Sequence, residues 1–281
     1  MADFLQGFAA WKGYLVFGWL VLFFALERLR PAAREGGLRQ SREQPVGGGW
    51  ARLGRNGGLW LCNVGLSLAV VLPVSAWAAA NPLFERPAVL TGWTGLAFDL
   101  LLLDFLIYWW HRANHELPLL WRFHEVHHLD RFLDSTSALR FHFGEVLLSA
   151  LARALVIVLF ALPFTSVLVF EALVLIAAIF HHSNLALPSG LERRLARVII
   201  TPSIHWVHHH AVRRDTDSNY GTIFSFWDPL FGSRSATARR PDLEIGVEAQ
   251  AEQGLPSLLL RPFLGVGPAA RRDRTEPDRP S

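Results

Sequence analysis

Cysteine is almost missing from this chain of 281 residues: Cys62 is the single one, and it sits in an apolar run. One cysteine cannot build a disulfide framework, a Cys-rich zinc site or an iron–sulfur site, so it reads as a small hydrophobe. Lysine is as scarce, with Lys12 alone against 26 arginines. Charged residues make up 18% of the chain, hydrophobic ones 51%, and the mean hydropathy is +0.26. That is too apolar for an ordinary soluble domain and points to the membrane class. The net charge of +3 is small and the arginines lie mainly between and after the apolar runs. This is membrane topology, not a nucleic-acid footprint. No G-x-G-x-x-G fingerprint follows a strand pattern, so no dinucleotide-binding unit is expected.

Several apolar stretches approach the roughly 20 residues that a spanning helix needs. They are Phe8–Leu26, Gly58–Ala80, Leu90–Trp110, and the pair Val146–Leu162 and Phe164–Phe180 on either side of Pro163. The last two have only 17 residues each, about 26 Å of helix, and read as a tight hairpin. ERLRP follows the first run without a small-residue cleavage site, which argues against a signal peptide. The loop from Glu27 to Asn56 holds Arg28, Arg30, Arg34, Arg39, Arg42, Arg52 and Arg55, whereas the loop Asn81–Val89 holds only Arg86. By the positive-inside rule the first loop is cytoplasmic and the second is not. Every histidine then falls on or near the cytoplasmic side. Arg153 and Glu171 lie about 15 Å and 12 Å from the hairpin turn, at bilayer depth, and should pair because unpaired charges there are costly. The Pro-, Arg- and acid-rich tail 265–281 reads as disordered. Abundant arginine and alanine suggest a GC-rich bacterial genome and so the bacterial inner membrane.

Twelve histidines are present, and eight of them fall in three short motifs. HRANH is H-x3-H (His111, His115), HEVHH is H-x2-H-H (His124, His127, His128), and HWVHH repeats that spacing (His205, His208, His209). On a helix, positions i, i+3 and i+4 share a face, so each motif aims two or three imidazoles one way. Imidazole suits zinc, iron, copper and nickel. Eight clustered nitrogens exceed the four ligands of a tetrahedral site, and the count implies two metals. HEVHH can also be parsed as H-E-x-x-H, the signature of a zinc metalloprotease with Glu125 as general base, but that leaves His127 and two motifs unexplained. A bis-histidine haem protein needs ligands facing each other, not side by side. A histidine-lined metal transporter would spread polar groups through the bilayer, whereas these gather at the ends of the apolar runs.

DFLIYWWHRANH, WRFHEVHHLD, STSALRFHFGE, FHHSN, TPSIHWVHHH and DSNYGTIFSFWDPLFGS together resemble the fatty acid hydroxylase/sterol desaturase superfamily of integral-membrane di-iron oxygenases. The resemblance runs from about Asp99 to Phe263, and includes the short interval of eight residues between His115 and His124. It implies two irons held by the eight motif histidines, with O2 as co-substrate. His182 and His142 match further ligand positions of the family, although His142 is followed by Phe where the family often has proline. His181 and His210 sit beside expected ligands and should point elsewhere. Asp104, Asp217, Asn219 and Asp228 are candidates to accept the second ring N–H of ligand histidines, against a reading as turn and cap residues. The implied reaction is hydroxylation or desaturation of a lipid that enters from the bilayer. Electrons would come from a separate electron-transfer protein or reductase, and no nucleic-acid partner is expected.

The expected fold is all-α: four or five membrane helices including the hairpin, with a cytoplasmic helical cap that carries a histidine-rich di-metal site. Three regions are expected: N-terminal membrane helices and arginine loop (1–89), catalytic domain (90–264), and tail (265–281). Metal analysis of the purified protein separates these readings. About two irons per chain, lost in His127→Ala or His208→Ala but kept with much of the activity in Glu125→Gln, is the expected outcome. One zinc per chain that survives loss of His111, His205 and His208 would revive the protease.

Overall fold

A computed structural model describes residues 2–33 and 49–264. Arg34, Arg39 and Arg42 of the arginine loop, and the tail from residue 265, lie outside the described residues. The fold is all-helical, with no strand among the described residues. Among the described residues, four helices are long and apolar enough to cross a membrane, and the protein is a multi-pass membrane protein.

Helix α1 spans Ala2–Leu29, α2 Gly49–Leu66 and α3 Leu72–Ala80. One widened π-helical turn, Ser67–Val71, joins α2 and α3 into a single span, Gly49–Ala80. Helix α4 (Gly92–Glu116) continues past the expected Trp110 so that His111 and His115 ride on its last turns. Leu117 breaks the chain direction, and Pro118, with its fixed φ and no N–H to lose, opens α5 (Pro118–His128). The hairpin is α6 (Phe143–Phe160) and α7 (Phe164–His182). Its tip is Ala161 in the left-handed region (φ 49°), with Pro163 just before α7. The cap consists of α8 (Ser189–Leu195), α9 (Pro202–His208) and the short α10 (Arg213–Thr216), α11 (Trp227–Leu230) and α12 (Leu255–Leu260).

Inside the bundle, Ala78, Leu103, Ala154, Ile157, Val167 and Phe170 from α3, α4, α6 and α7 form one buried cluster. Large side chains such as Trp11, Tyr14, Phe17, Trp77 and Trp93 are more than half exposed, as lipid-facing and interfacial positions require. At the histidine end the helices are tied by ions. Arg52 of α2 grips Asp130 through two 2.7 Å bonds and Asp134 through a third of 2.8 Å. Burial alone would raise Asp130, but the Arg52 and Arg140 guanidinium charges outweigh it and hold the carboxyl at about 2. Glu27 of α1 accepts from the Ser135 N–H and hydroxyl and from the Asn184 N–H. These contacts place the start of the arginine loop beside the histidine motifs.

The expected intramembrane pair is present: Arg153 Nη2 lies 3.0 Å from Glu171 Oε1. Lys12 of α1 adds a contact of 3.5 Å to Glu171 Oε2, which the sequence spacing did not suggest. One carboxylate therefore serves two cations. Glu171→Gln should destabilise the protein in lipid by about 1–3 kcal/mol of lost charge-assisted bonding, and should lower the melting temperature more than Arg153→Gln does. The Arg153→Glu/Glu171→Arg double swap should recover only part of that loss, because the swapped-in guanidinium on α7 would face Lys12.

Candidate metal centre

The structure brings nine histidines into two adjoining groups, within each of which one nitrogen per ring lies within 4.8 Å of the others. The first comprises His111 and His115 of α4, His124 and His128 of α5, and His208 of α9. The second comprises His127 of α5, His182 at the end of α7, and His205 and His209 of α9 and its cap. The two H-x2-H-H motifs are thus used in opposite senses. Helix α5 gives its i, i+4 pair to the first group and its i+3 residue to the second, while α9 does the reverse. The rings of His128 and His209 stack across the divide with centroids 4.3 Å apart.

Most of these rings are fixed through Nδ1. His111 donates to the Tyr220 carbonyl (2.8 Å), His127 to that of Arg140 (3.0 Å), His182 to that of Ala178 (2.8 Å) and His208 to that of Ser218 (2.6 Å). His124 donates to the Glu145 carboxylate at 2.8 Å, and His115 Nδ1 lies 3.5 Å from Asp217 Oδ1. A carbonyl can only accept, so Nδ1 carries the proton and Nε2 presents a lone pair. His127 Nε2 and His182 Nε2 then face each other at 3.0 Å, two lone pairs with no proton between them. His115 Nε2 and His208 Nε2 are buried without a hydrogen-bond partner. Nε2 of His205 lies 2.9 Å from that of His182 and 3.1 Å from that of His209. Two donors on one cation, each about 2.1 Å from it, stand about 3.0–3.4 Å apart. Burial first, and neighbouring imidazoles second, push His127, His128, His205 and His209 well below the ordinary histidine range, and burial does the same to His208. Neutral imidazoles with their Nε2 atoms turned toward one another at these separations fit a pair of divalent cations.

The tenth candidate, His142, is not brought to either group. It caps α6: its Nδ1 accepts from the Gly144 N–H (2.9 Å), and its Nε2–H donates to the Leu259 carbonyl (3.0 Å). His181 and His210 also stay outside the groups. His210 bonds Asp215 at 2.8 Å, and the His181 ring packs on His205 at 4.0 Å.

Of the four supporting residues expected, only Asp217 stands beside one of the grouped histidines. Asp104 touches no histidine and instead accepts from the Ile223 and Phe224 N–H groups and the Trp227 indole (3.1, 3.2 and 2.8 Å). Asp228 accepts from the Tyr220 and Gly221 N–H groups and the Ser233 hydroxyl. Asn219, in the left-handed region (φ 53°), bridges Ile204 and Ser235. These three hold the loop whose Ser218 and Tyr220 carbonyls orient His208 and His111. Gly221 is required there, because a Cβ would meet Asp228 Oδ2 at 2.9 Å and Phe224 O at 2.8 Å. Sequence reasoning missed Glu145, although an acidic residue opening an apolar membrane helix is itself a signal. Glu125 faces neither solvent nor a ligand: it is buried in a bidentate pair with Arg261, both contacts 2.9 Å. That carboxylate is not available as the base of a protease.

Residues 96–233 match the family model for fatty acid hydroxylase. The chain is 33% identical over 189 residues to a cholesterol 25-hydroxylase-like protein of Danio rerio, an alignment that covers 62% of this chain and 72% of that protein. The chain belongs to the fatty acid hydroxylase family. As a member of it, the chain is also 29% identical over 172 residues to the ornithine lipid hydroxylase OlsE of Rhizobium tropici, covering 61% of this chain and 51% of that protein. Against alkylglycerol monooxygenase of Caenorhabditis elegans the identity is 33% over 172 residues, covering 61% and 32%. The chain thus spans about half the length of the first of these two relatives and a third of the second. No solved structure matches it.

Two variants separate the pinned ligands from the cap. Glu145→Gln should weaken metal retention about 10–100-fold in a chelator competition. His142→Ala should leave metal stoichiometry unchanged and cost about 1 kcal/mol of thermal stability as a lost helix cap.

Proposed function

We propose that this protein is a membrane di-iron oxygenase that uses O2 to hydroxylate a C–H bond of a lipid. The observation that carries the reading is the double nest of neutral, opposed imidazoles at the ends of apolar helices. The nine grouped histidines, His111, His115, His124, His127, His128, His182, His205, His208 and His209, would hold the two irons. When bound, the irons supply the activation of O2 and the oxidising power for the C–H bond. The family relatives support the substrate class: they are named ornithine lipid hydroxylase, alkylglycerol monooxygenase and cholesterol 25-hydroxylase-like protein, and ornithine lipid, alkylglycerol and cholesterol are all amphiphiles that partition into bilayers.

The residues of the chain carry the rest. Carbonyl and carboxylate acceptors hold each pinned ring in one tautomer, so that no reorganisation accompanies a change in metal charge. Burial of the groups excludes water that would quench an oxidant. Apolar α4 and α7 lead directly from hydrocarbon depth to His111, His115 and His182, which suits a substrate that enters sideways with its chain still in the membrane. Hydroxylation of R–H by O2 to R–OH and water consumes two electrons and two protons, and a separate donor protein would deliver the electrons. Arg28 and Arg52 lie with Asp134 at the histidine end, which supports an active site on the cytoplasmic side.

The test is lipid profiling of membranes that express the protein, under heavy-isotope dioxygen. A lipid that gains one labelled oxygen, lost in His205→Ala and His208→Ala, is the expected result. Desaturated product without label would redirect the reaction to dehydrogenation. Zinc content with no oxidised lipid would overturn the reading.

A further inference from the structure

Helix α9 has two working sides. His205 and His208 face the metal groups, while Ser203, Ile204 and Val207 line a cavity of about 350 Å³ in the cap. That size lies within the range of about 300–1,000 Å³ typical of small-molecule sites. Its wall carries three arginines, Arg193, Arg234 and Arg239, against one carboxylate, Glu192. Arg193 and Arg234 are exposed at the mouth. Arg239 is drawn inside. Its guanidinium lies 4.2 Å above the Trp206 ring and makes one long bond of 3.4 Å to the Leu185 carbonyl. Burial pushes its pKa down to about 10, with Glu192 acting in the opposite direction.

Two polar atoms of this wall are buried without any hydrogen-bond partner: Nη2 of Arg239 and the Thr201 hydroxyl. A guanidinium N–H withdrawn from water without an acceptor is costly, and such an atom calls for an acceptor from outside the chain. Arginine pairs best with oxyanions that accept at several oxygens. Of the other hydroxyls on this wall, those of Ser235 and Thr237 already give their protons to Asp215, which leaves Ser203 and Thr201 to donate to a tetrahedral anion beside the arginines. We propose that this cavity binds a phosphate group, free or carried by a lipid headgroup, on the opposite side of α9 from the metal centre. The lipid source is included because Leu191 and Val198, either side of Arg193, are 45% and 54% exposed, and apolar residues beside arginines suit the face of a bilayer.

The test uses the full-length protein purified in detergent. Inorganic phosphate is titrated in at constant ionic strength against chloride while the melting midpoint is followed. A saturable rise is expected, absent in Arg239→Gln. Because that variant can fail to fold, the mouth variant Arg193→Gln/Arg234→Gln serves beside it, with half-saturation expected to move about tenfold or more, as loss of charge-assisted bonds implies. Native mass spectrometry after incubation with phosphatidylglycerol vesicles distinguishes the sources. Phospholipid retained by the wild type, displaced by phosphate and lost in the variants, identifies a headgroup site; protection by phosphate without retained lipid identifies a free-anion site. No saturable protection and no retained lipid in the wild type, or an unchanged response in the mouth variant, would overturn the proposal.

Discussion

Two nitrogen lone pairs held at 3.0 Å, those of His127 and His182, are the constraint to which the rest of the molecule answers. Left alone they repel, and the helices that carry them would drift apart. They are held because their outer nitrogens are committed to carbonyls that cannot move: Arg140 sits in a turn clamped by buried ions, and Ala178 lies inside α7. The same logic extends through the loop after α9. Asp104 and Asp228 touch no ligand, yet they fix the loop segment whose Ser218 and Tyr220 carbonyls aim His208 and His111. A carboxylate buried in α4 thus acts on the centre through a peptide backbone.

The two groups differ in what stands behind them. Glu145 and Asp217 back the first, so two carboxylates are close to its rings. The second is backed by carbonyls alone at His127 and His182. Two cations in this centre would therefore meet unequal compensation, although their direct donors are all imidazoles. Because α5 and α9 each feed both groups, neither group can shift without the other.

Much of this was legible in the residues. Four of the five apolar runs correspond to helices long and apolar enough to span, Pro163 marks the hairpin, and the depth of Arg153 and Glu171 foretold their contact. Histidine spacing gave the faces of α4, α5 and α9. What could not be read is how faces meet across helices: spacing fixes a direction on one helix but not the partner opposite. Hence the crossed use of the two H-x2-H-H motifs was invisible, as was the pairing of Glu125 with Arg261, which are 136 positions apart. Backbone acceptors leave no side-chain trace at all, so the orienting groups of four histidines had no signature. His142 and Asp104 misled for a related reason. Both lie in the expected motifs, but His142 is taken up by a helix cap, and Asp104 by two loop N–H groups and the Trp227 indole.

At the opposite end of the bundle, Arg86 bonds the carbonyls of Leu90, Gly95 and Ala161 and the carboxylate of Asp99. Between lipid-exposed helices, apolar contact gives little preference for protein over lipid, since hydrocarbon solvates both alike. Polar stitches such as this one therefore decide which helices become neighbours. Each span can enter the bilayer on its own hydrophobicity, and the hairpin tip can be captured afterwards by a single side chain in the loop between α3 and α4. Insertion and assembly become separable events, and the second depends on an arginine that lies far from any chemistry.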